Sequence, residues 1–368
     1  MNQSKAYQRT KLLLGLVGTA AGWAYLLLLV LTQLAASLVS ATQIVTNAYL
    51  HFLLFGLAAG LIAQVYALPL AFLGGYVVEH RYQLSNQTVA AWARERLKGS
   101  LVAAVIGVPL ALIFYACLRT FGSGWWLPVG GVMIVFSVVI ARLAPTLIFP
   151  LFYRFDRLDS DHPIRSRIEE SCRSLGLGIE GVFRFNLSKT TKKANAAFTG
   201  LGASKRVLLA DTLLDNFSDD EILAVTAHEL GHFKLNHLWK GMALGTVITF
   251  AGLYVVAGVH AGLTSGDVAT LATLPWLALL LGLYGFVTGP VSNAYSRRNE
   301  FAADNYSVEL LGNGRDLATG LERLAELNLA DRDPHPVVEF LFHSHPSIKK
   351  RLAALRSQEV DPPDPARP

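Results

Sequence analysis

Six apolar stretches, each long enough to cross a lipid bilayer, limit what this chain can fold into more than any other feature. A membrane-spanning helix needs about 20 mostly apolar residues, because its backbone polar groups must all pair within the hydrocarbon layer. Only 16% of the residues are charged, against about 25% in soluble domains. We therefore expect a mainly α-helical, multi-pass integral membrane protein with about six transmembrane helices. The stretches lie at about 12–38, 50–77, 100–121, 125–148, 241–263 and 273–295.

Basic residues are distributed unequally between the two sides of these spans. Lys and Arg precede the first span, lie between the second and third, and follow the sixth, whereas the alternate loops contain none, at about 39–49, 122–124 and 264–272. The positive-inside rule then places both termini and residues 149–240 in the cytoplasm, and we expect a bacterial-type plasma membrane. This asymmetry accounts for the net charge of +5. No basic and aromatic pattern indicates a nucleic-acid partner.

Residues 149–240 differ from the spans because charged residues return and the apolar runs become short. The pattern predicts an amphipathic helix at 163–174 and short strands at 181–187, 196–199 and 206–210, joined by turns rich in Gly, Ser and Lys. This segment is therefore predicted to be an α+β unit on the cytoplasmic side of the membrane.

The most informative motif of this segment is HELGH, an HExxH pattern that begins at His228. On a helix, His228 and His232 lie one turn apart on one face, which is the spacing that two imidazoles need to share one zinc ion. Glu229 projects beside them, where a carboxylate can accept a proton from a water molecule activated by the metal. The motif therefore predicts a hydrolytic zinc site.

The helix that carries the motif has a clear start. Ser218 and Glu221 form a capping box. We expect the helix to continue through Asn236 and His237 to the edge of the fifth span, which would place the motif close to the cytoplasmic membrane surface. His237 is interpreted as structural, because five residues past His232 it lies off the ligand face of such a helix.

Two histidines leave a catalytic zinc short of a protein ligand, since such sites use three protein groups. Glu300 is the best third candidate, because Asp304 follows one turn later and could orient a ligand histidine through a hydrogen bond. Glu300 could equally be a solvated helix charge beside Arg297. The spacing alone leaves both interpretations open.

Three sequence blocks resemble the signature blocks of the type I CaaX prenyl proteases, which are integral-membrane zinc endopeptidases with the HtpX heat-shock proteases as relatives. These blocks are VTAHELGHFKLNH (225–237), SRRNEFAAD (296–304) and SHPSIKKRL (344–352). Further similar segments are GYVVEHRYQLSNQTVAAW (75–92), PLFYRF (150–155) and NAAFTGLGASKRVLLADTLL (195–214). The resemblance covers residues from about 74 to 357, and its amino-terminal blocks favour the CaaX branch over HtpX.

The resemblance assigns roles to the motif residues. It implies that His228, His232 and Glu300 are the ligands of one zinc ion and that Glu229 is the general base. Asp304 would hold a ligand histidine in place.

The resemblance also implies roles outside the metal ligands. His345 and Arg351, within the HPxxxxR pattern, would help to hold the tetrahedral intermediate or the substrate chain. Asn195 begins the block that is similar to the family's substrate-binding edge strand, where a peptide adds as a β-strand. Taken alone, Asn195 is equally well explained as a turn residue.

The resemblance divides the chain into two domains. Residues 1–152 would form a transmembrane region like the amino-terminal domain of the CaaX proteases. Residues 153–358 would form a zincin-like metallopeptidase domain, interrupted by membrane helices at 241–263 and 273–295. The Pro- and Asp-rich tail at 359–368 is expected to be disordered.

The expected function is hydrolysis of peptide bonds in membrane-associated or CaaX-type prenylated substrates. The chain has six predicted spans, whereas the eukaryotic members are similar to a seven-span barrel, so an HtpX-like quality-control protease remains an alternative. A catalytically inactive membrane scaffold is another, although it predicts the loss of a ligand or of Glu229. A site-2-type intramembrane protease would carry HExxH inside an apolar span, which the charged residues of this helix disfavour.

Overall fold

Six helices of the structure are long and apolar enough to cross a membrane. The structure, a computed structural model, describes residues 3–200, 205–264 and 267–357. The prediction of a mainly helical protein with six spans is confirmed. The spanning helices are α1 (Gln3–Leu31), α3 (Ala48–Phe72) continued by a π-turn and α4 (Val78–Arg81), α5 (Val89–Phe121), α6 (Trp126–Leu143) continued by a π-turn and α7 (Phe149–Phe152), α11 (His237–Leu263) and α12 (Leu274–Leu311).

Two helix boundaries differ from the apolar stretches. The first helix begins at Gln3 and ends at Leu31, and a separate helix, α2 (Leu34–Thr42), follows it. The sixth span and the residues that follow it form one helix, α12, which ends at Leu311 because Gly312 adopts a left-handed conformation with φ 75°. Apolar stretches mark the part of a helix that contacts lipid, whereas the helix itself continues until a residue interrupts it.

Large apolar side chains on these helices face outward. Val65, Val105 and Val287 are each more than 70% exposed. An exposed apolar surface of this extent is incompatible with water and is typical of a membrane-facing one. Trp125 and Leu118 are instead buried in a core between the helices.

A four-stranded mixed sheet lies in the segment between α7 and α11. The strands are β1 (Phe155–Arg157), β2 (Gly181–Phe185), β3 (Ala196–Thr199) and β4 (Arg206–Ala210). Their order is β1-β2-β4-β3, with β2 and β4 parallel and the other pairs antiparallel. In the described part of the chain β3 therefore forms an edge of the sheet. The three predicted strands are confirmed, whereas β1 was not predicted, because it has three residues of which two are charged.

Three helices pack against this sheet, and the third of them carries the HELGH motif: α8 (Pro163–Ser174), α9 (Asp211–Leu214) and α10 (Asp219–Lys234). After the spans, α13 (Arg315–Leu327) packs on α10, α14 (Pro336–Phe342) packs on α12, and α15 (Ile348–Arg356) packs on α12 and α13. Ile164, Ile168, Leu209, Ile222 and Leu230 are almost fully buried in the core between helices and sheet.

The start of α10 was predicted correctly and its end was not. The capping box is present, with the Ser218 amide donating to Glu221 Oε2 at 2.9 Å and the Glu221 amide donating to Ser218 Oγ at 3.3 Å. The prediction that this helix continues through Asn236 and His237 is wrong. Asn236 adopts a left-handed conformation, with φ 58° and ψ 33°, which ends α10 and begins α11 in a new direction. Asn tolerates this region better than most residues.

Helix α14, near the carboxyl end, was not predicted from the sequence. Helix α15 begins at Ile348, and the Ser347 side chain caps it by accepting from the Lys350 amide. The predicted disordered tail at 359–368 lies outside the described residues.

Candidate active site and metal centre

The motif helix α10 packs directly on the carboxyl-terminal part of α12. Gly231 faces Ala303, which is fully buried, and the Ser307 hydroxyl donates to the Ala224 carbonyl oxygen at 3.0 Å. This close contact places Glu300 opposite the turn of α10 that carries HELGH, residues 228–232. Residues about 70 positions apart in the chain thereby form one site.

The structure brings the three expected ligand side chains together. One ligand atom from each of His228, His232 and Glu300 lies within 4.8 Å of the other two. The two histidine Nε2 atoms are 3.1 Å apart. Glu300 Oε2 is 3.5 Å from His228 Nε2, and Glu300 Oε1 is 3.3 Å from His232 Nε2.

These spacings fit a tetrahedral metal ion. Bonds of about 2.0–2.1 Å to a tetrahedral ion place two ligand atoms roughly 3.3 Å apart, close to the observed distances. Glu300 is 4% exposed, and its Oε2 is a buried polar atom without a hydrogen bond to any described residue. The Arg351 guanidinium lies 3.3 Å from this oxygen without forming a hydrogen bond to it. A cation between Glu300 and the two imidazoles would give the oxygen the direct partner that a buried polar atom requires.

Asp304 and Arg351 form a buried network behind His228. The Nδ1 atom of His228 is 2.8 Å from Asp304 Oδ1. The Arg351 guanidinium donates from Nε to Asp304 Oδ2 at 2.8 Å and from Nη2 to Oδ1 at 2.5 Å. Burial by itself lowers the pKa of His228, but its hydrogen bonds to Asp304 and Glu300 outweigh burial and raise the pKa to about 9 in the metal-free site.

A second histidine lies behind His232. The Nδ1 atoms of His232 and His237 are 2.9 Å apart, within hydrogen-bonding distance. The prediction that His237 lies off the ligand face assumed one continuous helix, but α10 ends at Lys234 and His237 begins α11.

A cavity of about 380 Å³ opens beside the candidate ligands. Glu229, half-buried on α10, lines this cavity together with Asn195, His345 and Arg351. The structure therefore brings these four candidates to one space. The side chain of His345 is 64% exposed, and its Nε2 lies 3.4 Å from Glu300 Oε1.

Arg351 is almost fully buried, and its Nη1 atom lies 3.3 Å from Glu300 Oε2. Its charge is thus shared between Asp304 and a candidate metal ligand. A guanidinium held in this way fixes two carboxylates of the site at once.

Strand β3 runs past the site between two cavities. Asn195, one residue before β3, lines the first cavity, and its carbonyl oxygen accepts from the Ala210 amide at 3.0 Å. A second, mainly apolar cavity of about 320 Å³ lies beyond the other end of β3 and is lined by Phe198, Phe233 and Glu229. A peptide that pairs with this edge as an extended strand would run past Glu229, and residues of the peptide would lie on both sides of that carboxylate.

Neither Asn328 nor Gly231 was identified from the sequence as a residue that shapes the site. Asn328 at the end of α13 pairs with the backbone of Ala194, accepting from its amide at 2.9 Å and donating to its carbonyl oxygen at 3.2 Å. No local pattern marks Asn328, since its partner is 134 residues away. Gly231 could have been noticed, because a glycine inside a helix costs about 1 kcal/mol and often marks a close contact.

Two family models match this chain. The model described as "Peptidase family M48" matches residues 159–359, and the model described as "CAAX prenyl protease N-terminal, five membrane helices" matches residues 1–154. In its described part, this amino-terminal region has four helices long enough to span a membrane. The nine-residue α2 is too short to be a fifth.

Several curated proteins are similar over most of the chain. The "Uncharacterized metalloprotease YhfN" of Bacillus subtilis is 32% identical over 84% of this chain and 74% of its own length. The CAAX prenyl protease 1 of Saccharomyces cerevisiae is 28% identical over 78% of this chain and 68% of its own length. The crystal structure of S. mikatae Ste24p superposes with a TM-score of 0.85 at 24% identity, covering 96% of this chain and 88% of that one. The overall fold is therefore that of Ste24p.

Proposed function

Since the chain belongs to peptidase family M48 and is an integral membrane metallopeptidase, we propose that His228, His232 and Glu300 hold one zinc ion. The observation that carries this proposal is the geometry of the three ligand atoms around the buried Glu300 Oε2, which has no hydrogen-bond partner among the described residues. Two imidazoles and one carboxylate are a donor set that catalytic zinc sites use. An inactive scaffold would have no need to place two imidazoles and a buried carboxylate at the spacing of metal ligands.

Glu229 is the proposed general base. Zinc in such a site supplies Lewis acidity, which acidifies a water molecule and polarises a peptide carbonyl. Glu229 lies on the turn between the two histidines and faces both cavities, so it can accept the proton of that water and pass it to the leaving amine nitrogen. His345 donates a hydrogen bond to the oxyanion, since its exposed imidazole faces the same cavity.

Asp304 and Arg351 act as positioning residues in this proposal. Asp304 holds the Nδ1 atom of His228, so that Nε2 of the same ring faces the metal position. Arg351 holds Asp304 with two hydrogen bonds and lies beside Glu300.

The substrate is proposed to bind as an added strand on the edge strand β3, beginning beside Asn195. This edge is accessible from the cavity that Glu229 lines, and main-chain pairing would hold a peptide extended across the site. Pairing of this kind recognises the backbone, so the two flanking cavities would select side chains or attached groups.

The proposed substrates are membrane-associated proteins, including CaaX-type prenylated ones. The names of several relatives support this class, and so does an apolar cavity of about 610 Å³ between α5, α6, α11 and α12. Gly245 and Ser292 line a smaller cavity beside His232. One turn further along the same two helices, Ile248 and Thr288 line the apolar cavity. An apolar group attached to a substrate could follow this course from the site into the membrane.

The site is proposed to face the cytoplasm of a bacterial-type plasma membrane. The basic residues that flank the spans favour this orientation by the positive-inside rule. A cysteine introduced near α8 should then react with a membrane-impermeant maleimide only after the cells are opened.

Cleavage of two matched peptides tests the substrate proposal. One peptide carries a farnesylated CaaX cysteine and the other carries the unmodified cysteine, and each is incubated with wild type and with Glu229→Gln in liposomes. Cleavage of the farnesylated peptide alone, abolished by Glu229→Gln and by chelation and restored by zinc, is the expected result. Equal cleavage of both would favour an HtpX-like quality-control protease. Cleavage that survives Glu229→Gln would overturn the assigned mechanism.

A further inference from the structure

His237 contacts His232 on the side of the ring that faces away from the candidate metal position. The two Nδ1 atoms are 2.9 Å apart, and the ring planes are inclined by 69°. Two nitrogens at this distance share one hydrogen, so one ring donates and the other accepts. The hydrogen bond between the two rings therefore has a direction, and the position of the hydrogen on each ring determines which ring donates.

The role of His232 fixes that direction. A neutral imidazole that offers its Nε2 lone pair to a metal carries its hydrogen on Nδ1. His232 then donates from Nδ1 to the Nδ1 lone pair of His237, whose own hydrogen lies on Nε2. His237 must consequently be neutral and must present a hydrogen-bond acceptor at one particular ring atom.

The break at Asn236 makes this contact possible. On a continuous helix, residues five positions apart are separated by about 140° around the axis, so the two rings could not meet. The left-handed conformation of Asn236 redirects the chain, and His237 becomes the first residue of α11. The first residue of a membrane helix thus turns back toward the HELGH turn.

The two histidine ligands are supported in different ways. His228 is held by Asp304, a buried carboxylate that adds negative charge, whereas His232 faces an uncharged ring. The supporting group of His232 belongs to the start of a membrane-spanning helix, while Asp304 belongs to α12. The geometry of the metal site therefore depends on the junction between α10 and α11 as well as on the contact between α10 and α12.

We propose that His237 is a positioning residue that fixes the tautomer and orientation of the His232 ring and thereby strengthens metal binding without contacting the metal. This inference rests on the proposed ligand role of His232. Groups that hold a ligand histidine in this way typically change metal affinity by about 10–100-fold when they are removed.

Three substitutions of His237 test the acceptor requirement. Asn places its Oδ1 near the position of the imidazole Nδ1 and can accept the hydrogen bond, whereas Gln extends its polar group to the position of Nε2, and Ala removes both. We expect His237→Asn to keep a zinc dissociation constant close to that of wild type. His237→Gln and His237→Ala should weaken binding by about 10–100-fold.

The measurement is a competition titration of the purified full-length protein in detergent against a chromophoric zinc chelator. The absorption spectrum of the cobalt-substituted protein provides a second readout of ligand geometry, independent of activity. A thermal melt of each metal-free variant shows whether folding is intact. Equal affinities for wild type, Gln and Ala variants would overturn the inference, and so would a loss in the Asn variant as large as that in the Gln variant.

A His232→Ala variant separates this inference from the proposed function. If wild type binds zinc and His232→Ala does not, His232 is a ligand, and an unchanged affinity in His237→Ala then refutes the role of His237 alone. If His232→Ala retains the zinc affinity of wild type, the ligand assignment itself fails, and the inference fails with it.

Asn236 provides an independent test of the chain geometry. Gly adopts the left-handed region without penalty, whereas the Cβ atom of Ala disfavours it. We expect Asn236→Gly to preserve zinc affinity and Asn236→Ala to reduce it. A reduction of the same size in both variants would contradict the proposed function of this turn.

Discussion

Gly231 on α10 lies so close to Ala303 on α12 that a Cβ atom on Gly231 would come within 3.1 Å of the Ala303 Cα atom. The same Cβ would be 3.2 Å from the Ala303 carbonyl oxygen. Backbone atoms cannot move aside as the end of a side chain can. The absence of a side chain at Gly231 therefore sets the separation of the two helices, and with it the distance from Glu300 to the two histidines.

Gly231→Ala is expected to weaken metal binding. The added methyl group must push α12 away from α10, at a cost of about 1–3 kcal/mol for overpacking, and Glu300 moves with α12. Zinc affinity, measured by chelator competition, should fall by about tenfold or more. Gly320→Ala is the control, because its Cβ would meet Val225 only at an ordinary 3.4 Å. Equal affinities in the two variants would contradict this account of the helix contact.

Arg351 is expected to contribute more to stability than an arginine on the surface of the same domain. Arg351→Met removes the guanidinium that donates two hydrogen bonds to Asp304, which is 1% exposed, and leaves His228 as the cation beside it. Removing one member of a buried ion pair costs about 3–5 kcal/mol. Denaturant titration of the metal-free protein in detergent measures the loss.

Arg323→Met is the matched control for that experiment. The Arg323 side chain is 48% exposed and lies 3.4 Å from Glu221 Oε2, so its removal should change stability by less than about 1 kcal/mol. Similar losses in both variants would show that the pair of Arg351 and Asp304 is not buried as described.

Metal binding is expected to release a proton from His228. The pKa of this histidine is raised from 6.5 to about 9 in the metal-free site, and a histidine must be neutral to bind a metal. The stabilisation of the metal-free fold by protonated His228 is complete below about pH 6.5 and is lost as the pH rises through about 9.

Calorimetric titration with zinc in two buffers of different ionisation enthalpy measures how many protons are released when the metal binds. At pH 7.5 the difference in heat between the two buffers should correspond to about one proton from His228. The released fraction should fall to about half a proton near pH 9 and vanish only above about pH 10. Asp304→Asn should reduce the release at pH 7.5, because it removes the carboxylate that raises the pKa. Heats that do not depend on the buffer at pH 7.5 would refute the raised pKa.

Features encoded in local patterns could be predicted from the sequence. Six spans follow from apolar length, the start of α10 follows from Ser218 and Glu221, and the pairing of His228 with His232 follows from helix periodicity. The role of Glu300 did not follow in this way, since its spacing to Asp304 also fits a surface helix. The resemblance to a known family favoured the ligand role that is proposed for Glu300, and the roles proposed for His345 and Arg351 had the same origin.

Features that depend on one backbone conformation or on distant contacts could not be predicted. A single left-handed residue, Asn236, moves His237 from the far side of a helix to the back of His232. The contact of Gly231 with Ala303 joins residues that are close only after the whole fold forms. Asn328, at the end of α13, forms hydrogen bonds with the backbone of Ala194, the residue before Asn195. No periodicity in the sequence relates Asn328 to Ala194.

The most direct test of the proposed site measures zinc content and peptide hydrolysis in the same preparations of wild type, Glu229→Gln and Glu300→Gln. Wild type should contain about one zinc ion per chain and cleave its substrate. Glu229→Gln should keep the zinc but lose activity by about 10²–10⁴-fold or more, and Glu300→Gln should lose both. Full zinc content with wild-type affinity in Glu300→Gln, or undiminished hydrolysis by Glu229→Gln, would contradict the assignment of these residues.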